Sequence, residues 1–306
     1  AWASYQIRQL LWKLVMATFI LMGIGSATRV MNAGLACPDW PLCYGTLIPA
    51  QQMNLQVFLE WIHRLDASLI GVMTIALVAL SVWKRRSLPK WVPWASGFAL
   101  FLVCAQGALG AFTVTQLLRF DIVTAHLGTA LFFFIVLLTM AMALIPPTAG
   151  PDPIQQPLAD SSPFPKRMAW LALGVALIIY GQSLTGGLVG SRWALHQCLA
   201  IAQLCSVMNS HLIGVIPSTV GVLAIAGWGW RHRRTHDQLV VGFSQLAGGL
   251  LVIQLLLGLA TFRLHLQVEL LTIAHQTTGA ALLGSLVCAA VRGFNCHRDW
   301  VQSIQS

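Results

Sequence analysis

Residues Ile122–Ile145 read IVTAHLGTALFFFIVLLTMAMALI, 24 residues without a formal charge and with one histidine, His126, near the start. A helix needs about 20 apolar residues to cross a bilayer, so this run is long enough. Working outward, seven more such runs are expected: Leu14–Asn32, Phe58–Val82, Val92–Val114, Met168–Val189, Val207–Trp228, Leu239–Thr261 and Leu266–Val291. Charged residues make up 9% of the 306, against roughly 25% in soluble domains. Hydrophobic residues make up 57%, and the mean hydropathy is +0.74. The expected fold class is therefore an all-α integral membrane protein with eight transmembrane helices. The first run follows Arg8 and Lys13 like a signal peptide, but it is too long for that and lacks a small-residue cleavage site. A retained helix is expected there.

The histidine of the opening stretch belongs to a pattern. His63 and His211 are 148 residues apart, and His126 and His275 are 149 apart. Gln106 and Gly110 recur as Gln254 and Gly258, again at 148. Thr124-Ala-His126 resembles Thr272-Ile-Ala-His275. Between the two sets lies the proline- and glycine-rich segment 146–165, which reads as a linker. The spacing predicts two pseudo-repeated four-helix bundles, 1–145 and 168–306, joined by a linker at 146–167. Four spans return the chain to its starting side, so the halves would share one orientation.

Lys and Arg gather on one side of this topology, 13 of the 18 falling with the two termini and the linker. By the positive-inside rule both termini face the cytoplasm or its topological equivalent, and the membrane is expected to be the plasma membrane of a bacterium. Trp83, Trp91, Trp94, Trp170, Trp228 and Trp230 fall at the same ends, where an interfacial belt belongs. The net charge of +9 mostly reflects this bias and suits contact with anionic lipid. Basic residues scattered in short loops make no nucleic-acid surface.

The four histidines lie on even-numbered spans, roughly 6–14 Å from the helix start at 1.5 Å per residue. A histidine in hydrocarbon is costly without a partner. Each half brings two imidazoles to similar depth, which is the geometry of axial ligation of one haem per half. Zinc or copper asks for three or four protein ligands, whereas porphyrin iron needs only axial ones. Read blandly, the same side chains are interhelical hydrogen-bonding glue. His196, His232, His236, His265 and His297 read as solvated or interfacial. Glu60 stands one turn before His63, on the same helical face. It is either a proton-handling carboxylate or a first-turn glutamate favoured by the helix dipole. His211 has no such neighbour, so the first half reads as reactive and the second as electron-carrying. Asp66 is expected to pair with Arg64 or Arg29. Cys37 and Cys43 fall in one loop on the oxidising side, and Cys198 and Cys205 in another. Each pair reads as a disulfide candidate, a loop staple or a redox couple. Cys104, Cys288 and Cys296 need no partner.

Together, CPDWPLCYG (Cys37–Gly45), Glu60-x-x-His63-Arg64, Ala-His126-Leu-Gly, His211 and His275 resemble the haem A synthase family over nearly the whole chain. Gly187-Leu-Val-Gly-Ser-Arg192 and Asn209-Ser-His211-Leu look similar to its cyanobacterial members. The resemblance implies oxidation of a methyl group of haem O to a formyl group, giving haem A for a terminal oxidase. It implies haem O as substrate at His63 and His126 with Glu60 required, and haem b as cofactor at His211 and His275. It also implies two partners, the farnesyltransferase that makes haem O and the assembling oxidase. Two other classes fit the histidines. One is a quinone-linked diheme b-type electron carrier, which does not need the Glu60 asymmetry. The other is a transporter using histidines as a proton relay.

Overall fold

The computed structural model describes residues 2–146, 166–190, 202–233 and 237–305, and for 202–205 and 297–305 the backbone alone. Its long elements are eight helices: α1 (Trp2–Val30), α2 (Leu55–Trp83), α3 (Trp91–Thr115), α4 (Phe120–Ala143), α5 (Lys166–Val189), α6 (Ala202–Arg231), α7 (Gln238–Arg263) and α8 (Glu269–Gln305). All eight are long and apolar enough to cross a membrane. Most of the expected linker, residues 147–165, lies outside the described residues.

Each expected span overlaps one helix, and the ends differ for local reasons. α1 begins well before Leu14 because Ala3, Ile7, Leu11, Leu14 and Val15 form a buried stripe that carries it past Arg8 and Lys13. It stops where Asn32 takes a left-handed φ of 58° and Ala33 N–H donates to Thr28 O at 2.8 Å, satisfying a carbonyl the helix leaves open. α3 and α7 end alike, each on two consecutive left-handed residues, Leu117–Leu118 and His265–Leu266. Leu118 N–H donates to Thr113 O at 2.8 Å and Leu266 N–H to Thr261 O at 3.0 Å. These two strained corners are again 148 residues apart.

Within α1–α4, consecutive helices touch and α4 closes back on α1. Within α5–α8 the same pattern holds. The two rings meet through α1 on α8, α4 on α8 and α4 on α5. α8 is buried most deeply, with Leu282, Leu283, Leu286, Val287, Ala289 and Ala290 all shielded. Close approach is allowed there by Gly284, where an added Cβ would stand 3.1 Å from Leu138 and Phe134. Outward faces carry Val72, Ile75, Phe101, Ile216, Val220 and Leu256, apolar and exposed as lipid contact requires.

At the end away from the histidines, polar groups close the seam. Arg8 donates to Leu144 O at 3.3 Å, Arg292 to Pro146 O at 3.3 Å and Asn295 to Met142 O at 3.4 Å, covering carbonyls in the last turn of α4 and just past its end. Arg292, 1% exposed, also pairs with Asp237 at 2.8 Å, and Asp237 caps α7 through the amides of Leu239 and Val240. Trp83, Trp94, Trp170 and Trp230 are exposed at this end, as the expected belt requires.

Candidate functional site

All four span histidines come from the early turns of α2, α4, α6 and α8, and all line one cavity of about 2100 Å³. Ordinary small-molecule pockets hold about 300–1,000 Å³, so this one suits a large ligand or more than one. Each imidazole lies against a glycine near the end of the preceding helix. A Cβ added to Gly25, Gly186 or Gly258 would stand 2.9 Å from Cε1 of His63, His211 or His275. At Gly110 it would stand 3.5 Å from Cε1 of His126. The missing side chains let each ring occupy the groove between two helices.

Glutamines lock the pairs of helices together. Gln106 on α3 donates to His126 O at 2.8 Å, and Gln182 on α5 donates to His211 O at 2.8 Å. The amide of Gln254 on α7 lies 3.5 Å from Nε2 of His275. Thr185 Oγ1 meets Nδ1 of His211 at 3.1 Å, which fixes that ring and leaves its other nitrogen available.

The rings of His63 and His126 stand 6.5 Å apart, centre to centre. Iron held between two imidazoles needs about 2 Å to each nitrogen, and each nitrogen lies about 1 Å from its ring centre. The sum is roughly 6 Å, so this pair fits the two axial positions of one porphyrin iron. Nδ1 of His63, His126 and His275 is buried without a hydrogen-bond partner, as are Oε1 of Gln106 and Gln254. Buried polar atoms of this kind are rare unless something else satisfies them. The residues present therefore fit a tetrapyrrole.

A loop stands over the first pair. Cys37 and Cys43 form a disulfide with Cα atoms 4.8 Å apart. Inside it, Asp39 accepts from the amides of Tyr44 at 2.6 Å and Gly45 at 2.7 Å. Those amides, Gly45 foremost, hold its carboxyl below the usual carboxylate range. Gly45 is needed as glycine, for its φ is +71°. Trp40 and Pro41 of the loop reach the cavity wall.

Glu60 and Arg64 tie this loop to α2. Glu60, 4% exposed, accepts from Cys37 N–H through Oε2 at 2.7 Å and pairs with Arg64 through Oε1 at 2.5 Å. Arg64 also donates to Asp39 O at 2.6 Å and Leu42 O at 2.5 Å. Both side chains line the cavity beside His63. The expected pairing of Asp66 is corrected: Arg64 belongs to Glu60 and the loop, Arg29 donates to Gly187 O at 3.1 Å, and Oδ2 of Asp66 has no partner. The physical reason is direction, since Asp66 stands two residues past Arg64 and so projects from another side of α2.

Cys198, the side chain of Cys205, His196, His236 and the side chain of His297 lie outside the described residues. His232 stacks on Trp228 at 4.5 Å, an interfacial position as expected. His265 reaches the cavity wall at the strained end of α7, although it is exposed. Sequence reasoning missed Gly25, Gly186, Gln182, Thr185 and Arg29. A usable signal was Gly placed near the end of the helix preceding each histidine.

A family model described as cytochrome oxidase assembly protein matches residues 8–287, which include all four cavity histidines and the disulfide loop. The chain belongs to that family. It is 27% identical to haem A synthase of Shewanella oneidensis over 95% of this chain and 98% of that one. It is 28% identical to haem A synthase of Rhodospirillum centenum over 90% of this chain and 86% of the relative. Haem A synthase of Bacillus pumilus is 24% identical over 89% and 91%. As a family member with eight apolar helices, the chain is a multi-pass membrane protein.

Proposed function

We propose that this membrane protein makes haem A by oxidising a methyl group of haem O to a formyl group, for use by a cytochrome oxidase. The observation that carries the reading is the 6.5 Å pair of His63 and His126 on the wall of a cavity large enough for a substituted porphyrin. His63 and His126 hold the substrate iron and so fix where the reacting methyl stands. The cavity's apolar wall, including Met22, Val103, Leu117 and Phe120, suits the substrate's apolar tail. Glu60 serves the reaction from beside His63, keeping Cys37 and its loop over the site through its two carboxylate oxygens. Such a loop keeps water from the reacting edge.

His211 and His275 hold haem b, oriented by Thr185 and by the glycines behind each ring. Haem b bound there supplies a one-electron carrier, which oxidation of a methyl group calls for. The same intervals of 148 residues in side chains and strained corners support two duplicated halves, 1–145 for substrate and 168–306 for cofactor. The basic-residue bias supports both termini in the cytoplasm of a bacterium. The farnesyltransferase that makes haem O and the assembling oxidase are the partners that hand over substrate and accept product.

Pigment extraction from purified protein, co-expressed with a haem O source, tests the reading. Wild type should yield haem b with haem O or haem A. Glu60→Ala should keep haem b and accumulate haem O or its hydroxylated form. Normal haem A from that variant would remove Glu60 from the reaction. The near-identical glycine backing of all four histidines also favours a diheme b-type carrier. Haem b alone, two per chain, would establish that second reading.

A further inference from the structure

Three arginines line the cavity, and the structure accounts for two of them. Arg64 is taken up by Glu60 and the loop carbonyls, and Arg119 pairs with Asp121 at 2.7 Å. Arg29 is different. It lies on α1 one turn beyond Gly25, the glycine behind His63, and its Nη1 donates to Gly187 O on α5, next to Gly186 behind His211. Its Nη2 is buried and has no partner. Among the described residues it joins no ion pair.

The slot around this guanidinium is built by missing side chains. A Cβ at Gly190 would stand 3.1 Å from Nη2, and one at Gly187 would stand 2.6 Å from Leu127. Either would close the space. The carboxylates on the cavity wall do not answer the charge: Glu60 is committed to Arg64 and Cys37, and Glu269 is exposed at the start of α8. A buried cation without a counter-charge is expensive inside a membrane. Guanidinium presents a planar fork that matches a carboxylate. The tetrapyrroles of the proposed function each carry two propionate carboxylates on one edge.

We propose that Arg29 is a ligand-binding residue whose Nη2 edge takes a propionate carboxylate of the tetrapyrrole held by His211 and His275. The assignment to that pair follows from the guanidinium lying on α5, against Gly187 and Gly190. It rests on the haem reading above. Arg29 thereby joins a helix of the first ring to the ligand of the second.

The test is a titration of the purified full chain with ferric haem b and with its dimethyl ester, followed by absorbance. The ratio of the two affinities is read within each protein, so a variant with lower yield still reports. Wild type should favour the free acid about tenfold or more, as loss of a hydrogen bond to a charged group predicts. Arg29→Gln should bind acid and ester alike, and Arg29→Lys should keep part of the preference. The effect should persist with His63→Ala and vanish with His211→Ala. Persistence only with His211→Ala would leave Arg29 as the carboxylate's partner but move the ligand to the first pair, overturning that half of the proposal. An unchanged acid preference in Arg29→Gln would overturn the proposal while leaving the haem reading intact. Equal affinities in wild type would overturn it too, leaving the open edge to a lipid phosphate. Wild type that binds no haem would sink the haem reading itself, and this proposal with it.

Discussion

Two alanine substitutions behind the same ligand pair should have opposite effects. In Gly25→Ala the new methyl would stand 2.9 Å from His63 Cε1, whereas in Gly110→Ala it would stand 3.5 Å from His126 Cε1. Carbon atoms rest at about 3.5–4.0 Å, so the second contact is ordinary and the first demands about 0.6 Å of movement. The imidazole edge must give, because the other side of the clash is helix backbone. Metal–ligand distances tolerate only about 0.2 Å, so a displacement of that size compromises ligation. Alanine gains up to about 1 kcal/mol over glycine in a helix interior, against about 1–3 kcal/mol for an overpacked contact. Gly110→Ala should therefore keep its affinity and gain slightly in thermal stability. Gly25→Ala should bind haem about tenfold more weakly, since each 1.4 kcal/mol is a factor of ten. Absorbance titration with haem O, in a His211→Ala background that leaves the first pair alone, reads both. Equal losses in the two variants, or normal binding by Gly25→Ala, would refute the glycine-cradle reasoning.

Replacing Cys37 and Cys43 together by serine opens a short loop of about seven residues and should cost about 2 kcal/mol, read as a lower thermal midpoint of the purified protein. Because Glu60 and Arg64 still grip the loop, the variant should keep it folded at neutral pH. Asp39, with its carboxyl held below the usual range by the Gly45 and Tyr44 amides, contributes stability that is fully present above its unfolded pKa, about 3.9. That contribution fades as pH falls through the lower folded value, so protection of the Tyr44 and Gly45 amides, taken relative to the intrinsic exchange rate at each pH, should fall only in acid, and Asp39→Asn should remove the acid step. Arg292→Ala removes the bonds to Asp237 and to Pro146 O, and should cost about 1.5–3 kcal/mol in stability. Near-wild-type unfolding of that variant would show that the pair is not needed.

The helices were legible because a bilayer demands long apolar runs, and little else produces them. Their ends were not. Asn32, Leu117, Leu118, His265 and Leu266 turn the chain in the left-handed region, and the three leucines are of a residue type that normally avoids it. The four cavity histidines were legible because burial makes an isolated histidine costly and the interval repeats. Gly110 and Gly258 followed at the same interval. Gly25 and Gly186 did not, because they are 161 residues apart. The reason is physical: the disulfide loop lengthens the connection between α1 and α2, while histidine–glycine contact depends on helix ends and not on sequence distance. Arg29 was hidden further, since its partner carbonyl, Gly187, lies 158 residues away.

The loop also changes what the Glu60–His63–Arg64 motif means. Read along the chain, a glutamate one turn before a ligand suggests a proton carrier. In space, both its oxygens are engaged, one on the Cys37 amide and one on Arg64. A carboxylate so held has a positioning task, since both oxygens are spent on tying the loop to α2. Each contact anchors the loop over His63. Release of the loop from α2 would therefore require Glu60 to give up one of the two. Trp40 and Pro41 line the cavity, so the residue that anchors the loop also fixes that part of its wall. The second half has Met208-Asn-Ser-His211 in place of that motif, with no carboxylate one turn before the histidine.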